Sequence, residues 1–331
     1  MKRRVSNHIE SWASLIPFRI ANYEWDDYPT VVCEIEQDGV IGWGEALGVY
    51  YLDETEKTML KQLEMVAAEL AGGANREDLL ELLPAGGARN AADAALWDLE
   101  AQLNGTSVWR MAGVEADPVQ TVFTIGLEAE PDKMAAGAAA ASDVSLLKIK
   151  LNNDRPVERI AAIRQARPDA RLVVDVNQGW HFHELQRFAP ELQSLGVEFI
   201  EQPLPRGGDD ELENYESPVP LCADESCLTL DELEQAVSRY QIINIKLDKT
   251  GGLTHALELA QAIKDRDLRI MVGSMCGSSL AMAPHHVVAQ LADYADIDGP
   301  LLMKNDRFGG LVYDKGMVSL PHTRFWGVPQ P

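Results

Sequence analysis

Cysteine is scarce in this chain, with Cys33, Cys222, Cys227 and Cys276 the only four among 331 residues. Their scatter forms neither a zinc-finger spacing nor a disulfide framework, so reduced thiols in a cytoplasmic protein are expected. Positive charge is also short: 29 lysines and arginines face 52 aspartates and glutamates, for a net charge of −23. Such a surface repels nucleic acid and anionic membranes, and neither is expected as a partner. The basic start runs into Asn7, His8 and Glu10 where a secretory signal needs an unbroken apolar run, and no run reaches the length of a membrane span. No Gly-x-Gly-x-x-Gly follows a strand and no phosphate-cradling Gly-Lys-Ser/Thr loop occurs, which removes the common nucleotide folds.

The apolar fraction, 46%, is enough to bury a barrel-sized core and a smaller domain beside it. Residues 30–36 are β-branched and strand-like, Gln37-Asp38-Gly39 is a turn, and residues 40–45 return as a second strand. Helical patterns follow at about 54–70 and 88–103, the second with Ala92, Ala95, Leu96 and Leu99 on one face. Residues 1–113 thus read as a small α+β domain. From residue 114 to 305 short apolar strands alternate with helical stretches, the mark of parallel βαβ units. Strands are expected near 122–127, 146–151, 171–177, 197–203, 220–226, 241–249, 269–274 and 294–300. Eight such units close into a barrel with its active site at the strands' C-terminal ends. The tail, 306–331, lacks the pattern and is expected to pack back on the first domain.

In the second of these strands Lys148 and Lys150 fall on one face and Leu147, Ile149 and Leu151 on the other. Two adjacent ammonium groups in an apolar strand need anionic neighbours or a site to face. Polar residues recur at the other strand ends about one βα unit apart: Asp175 with Asn177, Glu201, Asp224 with Glu225, then Lys246, Asp248 and Lys249, and finally Asp296 and Asp298. One strand-end carboxylate is usually a helix cap or a surface residue. Several in register describe a rim.

Asp175, Glu201 and Asp224 offer hard oxygen ligands suited to Mg2+, and a divalent cation relieves their mutual repulsion. Lys150 and Lys249, from the second and sixth strands, would flank a substrate from opposite sides. This suits removal of a proton next to a carboxylate and its return to the other face. Lys148, beside Lys150, would help lower its pKa.

These residues resemble the enolase superfamily, in its muconate-lactonizing-type subgroup, and most closely the dipeptide epimerases of the L-Ala-D/L-Glu kind. The resemblance rests on Gly42-Trp43-Gly44-Glu45, the run Ala91–Leu99, Lys148-Ile149-Lys150, Asp175-Val176-Asn177, Glu201-Gln202-Pro203, Asp224-Glu225-Ser226 and Lys246-Leu247-Asp248-Lys249-Thr250-Gly251-Gly252. It implies a (β/α)7β modified TIM barrel with an α+β capping domain. It also implies an isomerase in which Asp175, Glu201 and Asp224 hold magnesium, Lys150 and Lys249 are the acid/base pair, and Lys148 gives electrostatic support, with Asn177 and Glu225 just behind.

The reaction so implied is inversion of the α-carbon of a dipeptide's C-terminal residue through a metal-stabilised enediolate. An N-acylamino acid racemase or a cycloisomerase of the same superfamily is the alternative. Asp296-Ile297-Asp298 favours a dipeptide, since two carboxylates on one strand face match a free α-ammonium. Thr124 is expected to line the substrate site as well. Selection of the epimerised side chain is expected from the loop 21–28, with Tyr23, Glu24 and Asp26. Its acidity either favours a cationic or neutral side chain or merely solvates a lid. A homo-oligomer is expected.

Overall fold

Three antiparallel strands, Arg4–Arg19, Glu24–Gln37 and Val40–Ala46, pair in that order at the N-terminal end of the computed structural model, which describes residues 3–19 and 24–328. The turn between the second and third is the two-residue loop Asp38-Gly39, with φ of 54° and 82°. Positive φ at both positions matches the right-handed twist of the flanking strands. The first strand lay outside the sequence reading. It sits at the sheet edge and most of its side chains are half-buried or exposed, so it carries no clean apolar alternation.

The helix Gly87–Leu103 packs on this sheet at backbone contact. A Cβ added to Gly42 would stand 2.2 Å from the Ala95 carbonyl oxygen, and one on Gly44 would stand 2.0 Å from that of Ala91. Only glycine on the strand and small residues on the helix permit that approach. Behind it Val31, Cys33, Ile35, Leu63, Leu96 and Leu99 form the cap's own core.

Eight parallel strands follow one another around the second domain in chain order: Phe123–Ile125, Leu146–Lys150, Arg171–Asp175, Val197–Glu201, Leu221–Ala223, Ile242–Ile245, Arg269–Val272 and Tyr294–Ala295. The ends of the sheet meet through a parallel bridge between Thr121 and Ala295, with Val122 N–H donating to the Ala295 carbonyl at 2.9 Å. All eight expected strands are present. Each is shorter than its expected range, although pairing on the second, third and fourth strands still includes Lys148, Lys150, Asp175 and Glu201. The eighth stops at Ala295, well short of residue 300, and the sixth ends at Ile245, where a short helix, Leu247–Thr250, replaces the expected extension to residue 249.

The C-terminal segment adds a hairpin, Val312–Asp314 with Met317–Ser319, which pairs with Val119–Gln120. Beyond it Trp326 Nε1 donates to the Ala94 carbonyl at 3.1 Å and Gly327 N–H to Asp98 Oδ1 at 2.8 Å, both in the cap. Among the described residues no helix is long and apolar enough to cross a membrane.

Candidate active site

Alternation along the barrel strands sorts the inward-facing residues into levels. Val122, Leu146, Val173, Phe199, Cys222, Ile242, Met271 and Tyr294, one from each strand, form an apolar plug. Two residues further on stand Thr124, Lys148, Asp175, Glu201, Asp224, Asn244, Gly273 and Asp296. A second step reaches Lys150, Asn177, Lys246 and Asp298. The polar site is therefore the continuation of the barrel's own core pattern past the plug.

On the second strand Lys148 is buried among three carboxylates, with Nζ 2.6 Å from Asp296 Oδ2, 2.8 Å from Glu201 Oε2 and 3.0 Å from Asp175 Oδ2. Burial opposes its charge, but Asp175, Asp296 and Glu201 outweigh burial and hold it well above the ordinary lysine value. Lys150, one step nearer the mouth, donates to Asp175 Oδ2 at 2.6 Å and Asn177 Oδ1 at 3.2 Å. Burial alone would raise Asp175, yet Lys148 and Lys150 bring it down to about 2. Asn177 takes a left-handed conformation, φ 45°, and its N–H donates to Asp175 Oδ1 at 3.0 Å, which helps fix that carboxylate.

The two lysines after the sixth strand part company. Lys246 continues the series Ile242, Asn244, Lys246 and donates to Asp224 Oδ2 at 2.7 Å, its side chain 9% exposed, close to the 11% of Lys150. Lys249 is out of phase with that series and lies in the short helix. Its side chain is 0% exposed, and its ammonium donates to Asp224 Oδ1 at 2.9 Å and to the carbonyls of Asp224, Asn244 and Cys227 at 2.6, 2.8 and 3.0 Å. A lysine so enclosed has no face left for a substrate, which corrects the expectation of Lys249 as proton carrier. The geometry puts Lys246 in that place, across the barrel from Lys150. Counting by twos from Ile242 would have found it.

Sequence reasoning also passed over three neighbours. Asn244 Nδ2 donates to Glu201 Oε1 at 2.7 Å. Tyr50 and Tyr51, in the cap's Tyr50–Leu52 turn, are half-buried within the field of Asp224 and Glu225. No periodicity marks them, because that turn reaches the barrel mouth only through the packing of two domains.

At the eighth strand Asp296 is bound by Lys148, while Asp298 Oδ2 accepts the Thr124 N–H at 2.7 Å. Burial, and then Asp296, push Asp298 up to about 7. Of the expected loop residues, Tyr23 and the side chain of Glu24 lie outside the described residues. Asp26 is exposed, and Asp27, also exposed, accepts from Ser11 Oγ at 2.6 Å. These two aspartates turn to solvent and not into the barrel.

Among the described residues no three carboxylates, imidazoles or thiolates stand close enough to hold a metal ion as they are now arranged. The donor set nonetheless fits a hard divalent cation. Asp175, Glu201 and Asp224 sit at one level on consecutive strands. Glu201 Oε2, fully buried, accepts no well-aligned hydrogen bond although the Lys148 ammonium is near it. Burial and the charges of Asp175 and Asp224 raise Glu201 to about 7, and burial with Asp224 raises Glu225 to about 8. This locus holds more negative charge than its lysines neutralise.

Residues 3–113 match the family model for the N-terminal domain of mandelate racemase/muconate lactonizing enzyme, and residues 133–327 match the enolase C-terminal domain-like model. An N-acetyl-D-glutamate racemase from a Pseudoalteromonas species is 39% identical over 90% of this chain and 95% of its own length. The L-Ala-D/L-Glu epimerase of Escherichia coli is 39% identical over 96% of this chain and all of its own. A crystal structure of an Agrobacterium tumefaciens enolase family member with homology to dipeptide epimerases, with bound sodium and L-Ala-L-Glu, superposes with a TM-score of 0.95 at 39% identity, covering 98% of this chain and 100% of that one. With both domains matched and the barrel levels in place, the chain belongs to the enolase superfamily, in the branch of mandelate racemase and muconate lactonizing enzyme.

Proposed function

We propose that this protein is a magnesium-dependent epimerase that inverts the α-carbon of the glutamate in an Ala-Glu dipeptide, with Lys150 and Lys246 as its two proton carriers. The observation that carries this reading is the pair itself. Two largely buried ammonium groups, with side chains 11% and 9% exposed and four strands apart on an eight-stranded barrel, lie on either side of the carboxylates of Asp175 and Asp224. An α-proton taken by one lysine as the neutral amine and replaced from the other as the ammonium leaves the opposite configuration. Both must therefore change protonation state. Burial lowers Lys246, but Asp224 and Glu201 outweigh it and keep it above the ordinary value. A magnesium ion held by Asp175, Glu201 and Asp224 would neutralise that hold and accept the negative charge left on the substrate carboxylate.

Lys148 places a fixed positive charge at the same level, and Asp298 offers its carboxylate to the substrate's α-ammonium. The three relatives named above, each 39% identical, share a glutamate whose nitrogen is acylated, which supports glutamate over a cationic side chain. The outward turn of Asp26 and Asp27 agrees with that choice. The Pseudoalteromonas relative favours a second reading, racemisation of N-acetylglutamate, which has no ammonium for Asp298 to bind. We further read the protein as cytoplasmic, on its four free thiols, and as a homo-oligomer, on the fully exposed Phe308 beside a groove of about 650 Å³ lined by Trp12, Trp43 and Phe325. Light scattering on the purified chain tests the assembly.

The deciding experiment follows α-deuterium uptake by NMR in D2O with magnesium, for L-Ala-L-Glu and N-acetyl-L-glutamate in parallel. Uptake with inversion of the dipeptide, abolished by a chelator, is expected. Inversion of the acetylated amino acid alone would replace this reading with the second.

A further inference from the structure

Lys249 is more completely enclosed than any other lysine of the site, and its partners have a pattern. Three are backbone carbonyls at the C-terminal ends of two neighbouring strands: Asp224 and Cys227 after the fifth, and Asn244 within the sixth. The fourth is Asp224 Oδ1, the oxygen of that carboxylate not taken by Lys246. Carbonyls at the end of a parallel strand have no partner in the next turn of the sheet, and burying them unpaired is costly. One ammonium group shares its three N–H bonds among these three carbonyls, that of Asp224 jointly with the Cys227 N–H at 3.3 Å, and one oxygen of the Asp224 carboxylate.

We propose that Lys249 is a positioning residue that staples the ends of the fifth and sixth strands and thereby sets both the orientation of the Asp224 carboxylate and its separation from Lys246. The inference rests on the reading above, in which Asp224 is a metal ligand and Lys246 a proton carrier. With Oδ1 held by Lys249, Asp224 presents Oδ2 to the barrel axis. The same staple fixes Asn244, whose amide in turn holds Glu201 Oε1. Two of the three proposed metal ligands are thus oriented through a lysine that touches neither metal nor substrate.

The test uses the full chain and Mn2+ as the probe, titrated by electron paramagnetic resonance without substrate. Lys249→Met, which keeps the length and loses the charge, should weaken Mn2+ binding about 10- to 100-fold, the usual cost of removing a group that orients a metal ligand. Lys249→Arg should recover part of that loss. In D2O, Lys249→Met should slow α-proton exchange from both epimers of the dipeptide. Unchanged Mn2+ affinity in the folded variant overturns the proposal. Exchange lost from one epimer alone also overturns it and makes Lys249 a proton carrier. Lys249→Gln, which keeps donors for two carbonyls, is held to the same two readouts should Lys249→Met not fold. Because the Mn2+ titration needs no substrate, a wild-type chain that binds Mn2+ yet inverts no dipeptide would sink the proposed function and leave this inference standing.

Discussion

The second and sixth barrel strands each end in two lysines, and they use them differently. Lys148 and Lys150 are two residues apart within one strand, so both face the axis and form a vertical pair, one deep among carboxylates and one at the mouth. Lys246 and Lys249 are separated by the boundary between a strand and a short helix, so one faces the axis and the other is folded beneath its neighbour strand. The contrast teaches that charge at a strand end is not enough to assign a role. Phase relative to the strand decides whether a side chain meets the substrate or the scaffold.

The largest effect should come from removing the two mouth lysines. Lys150→Ala and Lys246→Ala should each lower epimerisation about 1,000-fold, within the range for losing a general acid or base. Each should keep solvent exchange from one epimer only, and from opposite epimers, which NMR in D2O reads directly. If both variants lose exchange symmetrically, the two-sided arrangement is wrong.

Next comes the deep member of the first pair. Lys148→Met leaves Asp175, Glu201 and Asp296 without their shared cation and should cost about 3–5 kcal/mol in urea denaturation, as breaking a buried ion cluster does. A loss under about 1 kcal/mol, the scale of an exposed ion pair, would show that the site is wetter than its geometry indicates.

Asp298→Asn should reduce kcat/KM for L-Ala-L-Glu at least about 30-fold, the low end for removing one partner of a desolvated charge pair, while sparing N-acetylglutamate. In the wild type, KM for the dipeptide should rise as pH falls below about 7, where Asp298 becomes protonated and can no longer pair with an ammonium. A flat KM between pH 5.5 and 8, on the scale of an unshifted aspartate, would remove Asp298 from the substrate site.

The smallest effect concerns stability. Burial raises Asp93, Asp98 and Asp248, at the contact of cap and barrel, to about 6, above their unfolded value. Glu201, Glu225 and Asp298, raised to about 7, 8 and 7, act in the same sense, and together these six outweigh His285 and His286, which burial lowers to about 4. Between the unfolded and folded values of these carboxyl groups the native chain therefore binds more protons than the unfolded one, and stability falls as pH rises through that window. Thermal melting without metal should therefore be higher at pH 5 than at pH 7.5, by roughly 5 °C. The reverse order would mean that water reaches these carboxylates.

The eight strands and three of the carboxylates were legible because a barrel strand repeats a simple rule, an apolar plug followed by polar residues at every second position. The sixth strand is the exception, because Lys249 matches the spacing of whole βα units and not the alternation within one. Other features had no rule to reveal them. The Arg4–Arg19 strand alternates in burial, but its less exposed face carries Asn7, Glu10 and Ser14 and so shows no apolar pattern, and Tyr50 and Tyr51 reach the mouth only because a separate domain leans over it. The acidic residues near Asp26 were conspicuous in sequence for their charge. In the folded chain Asp26 and Asp27 spend that charge on solvent.

The approach of Gly42 and Gly44 to the helix Gly87–Leu103 has a meaning for how such proteins are recombined. A strand and a helix that touch backbone to backbone are two halves of one joint, and the same helix carries Asp93, which accepts from Thr254 in the barrel at 2.5 Å, and Arg89, which donates to the Gly251 carbonyl at 3.0 Å. A graft that exchanges the hairpin alone, to import another enzyme's selectivity, would break the joint. One that moves hairpin and helix together would still have to match the loop that carries Lys249.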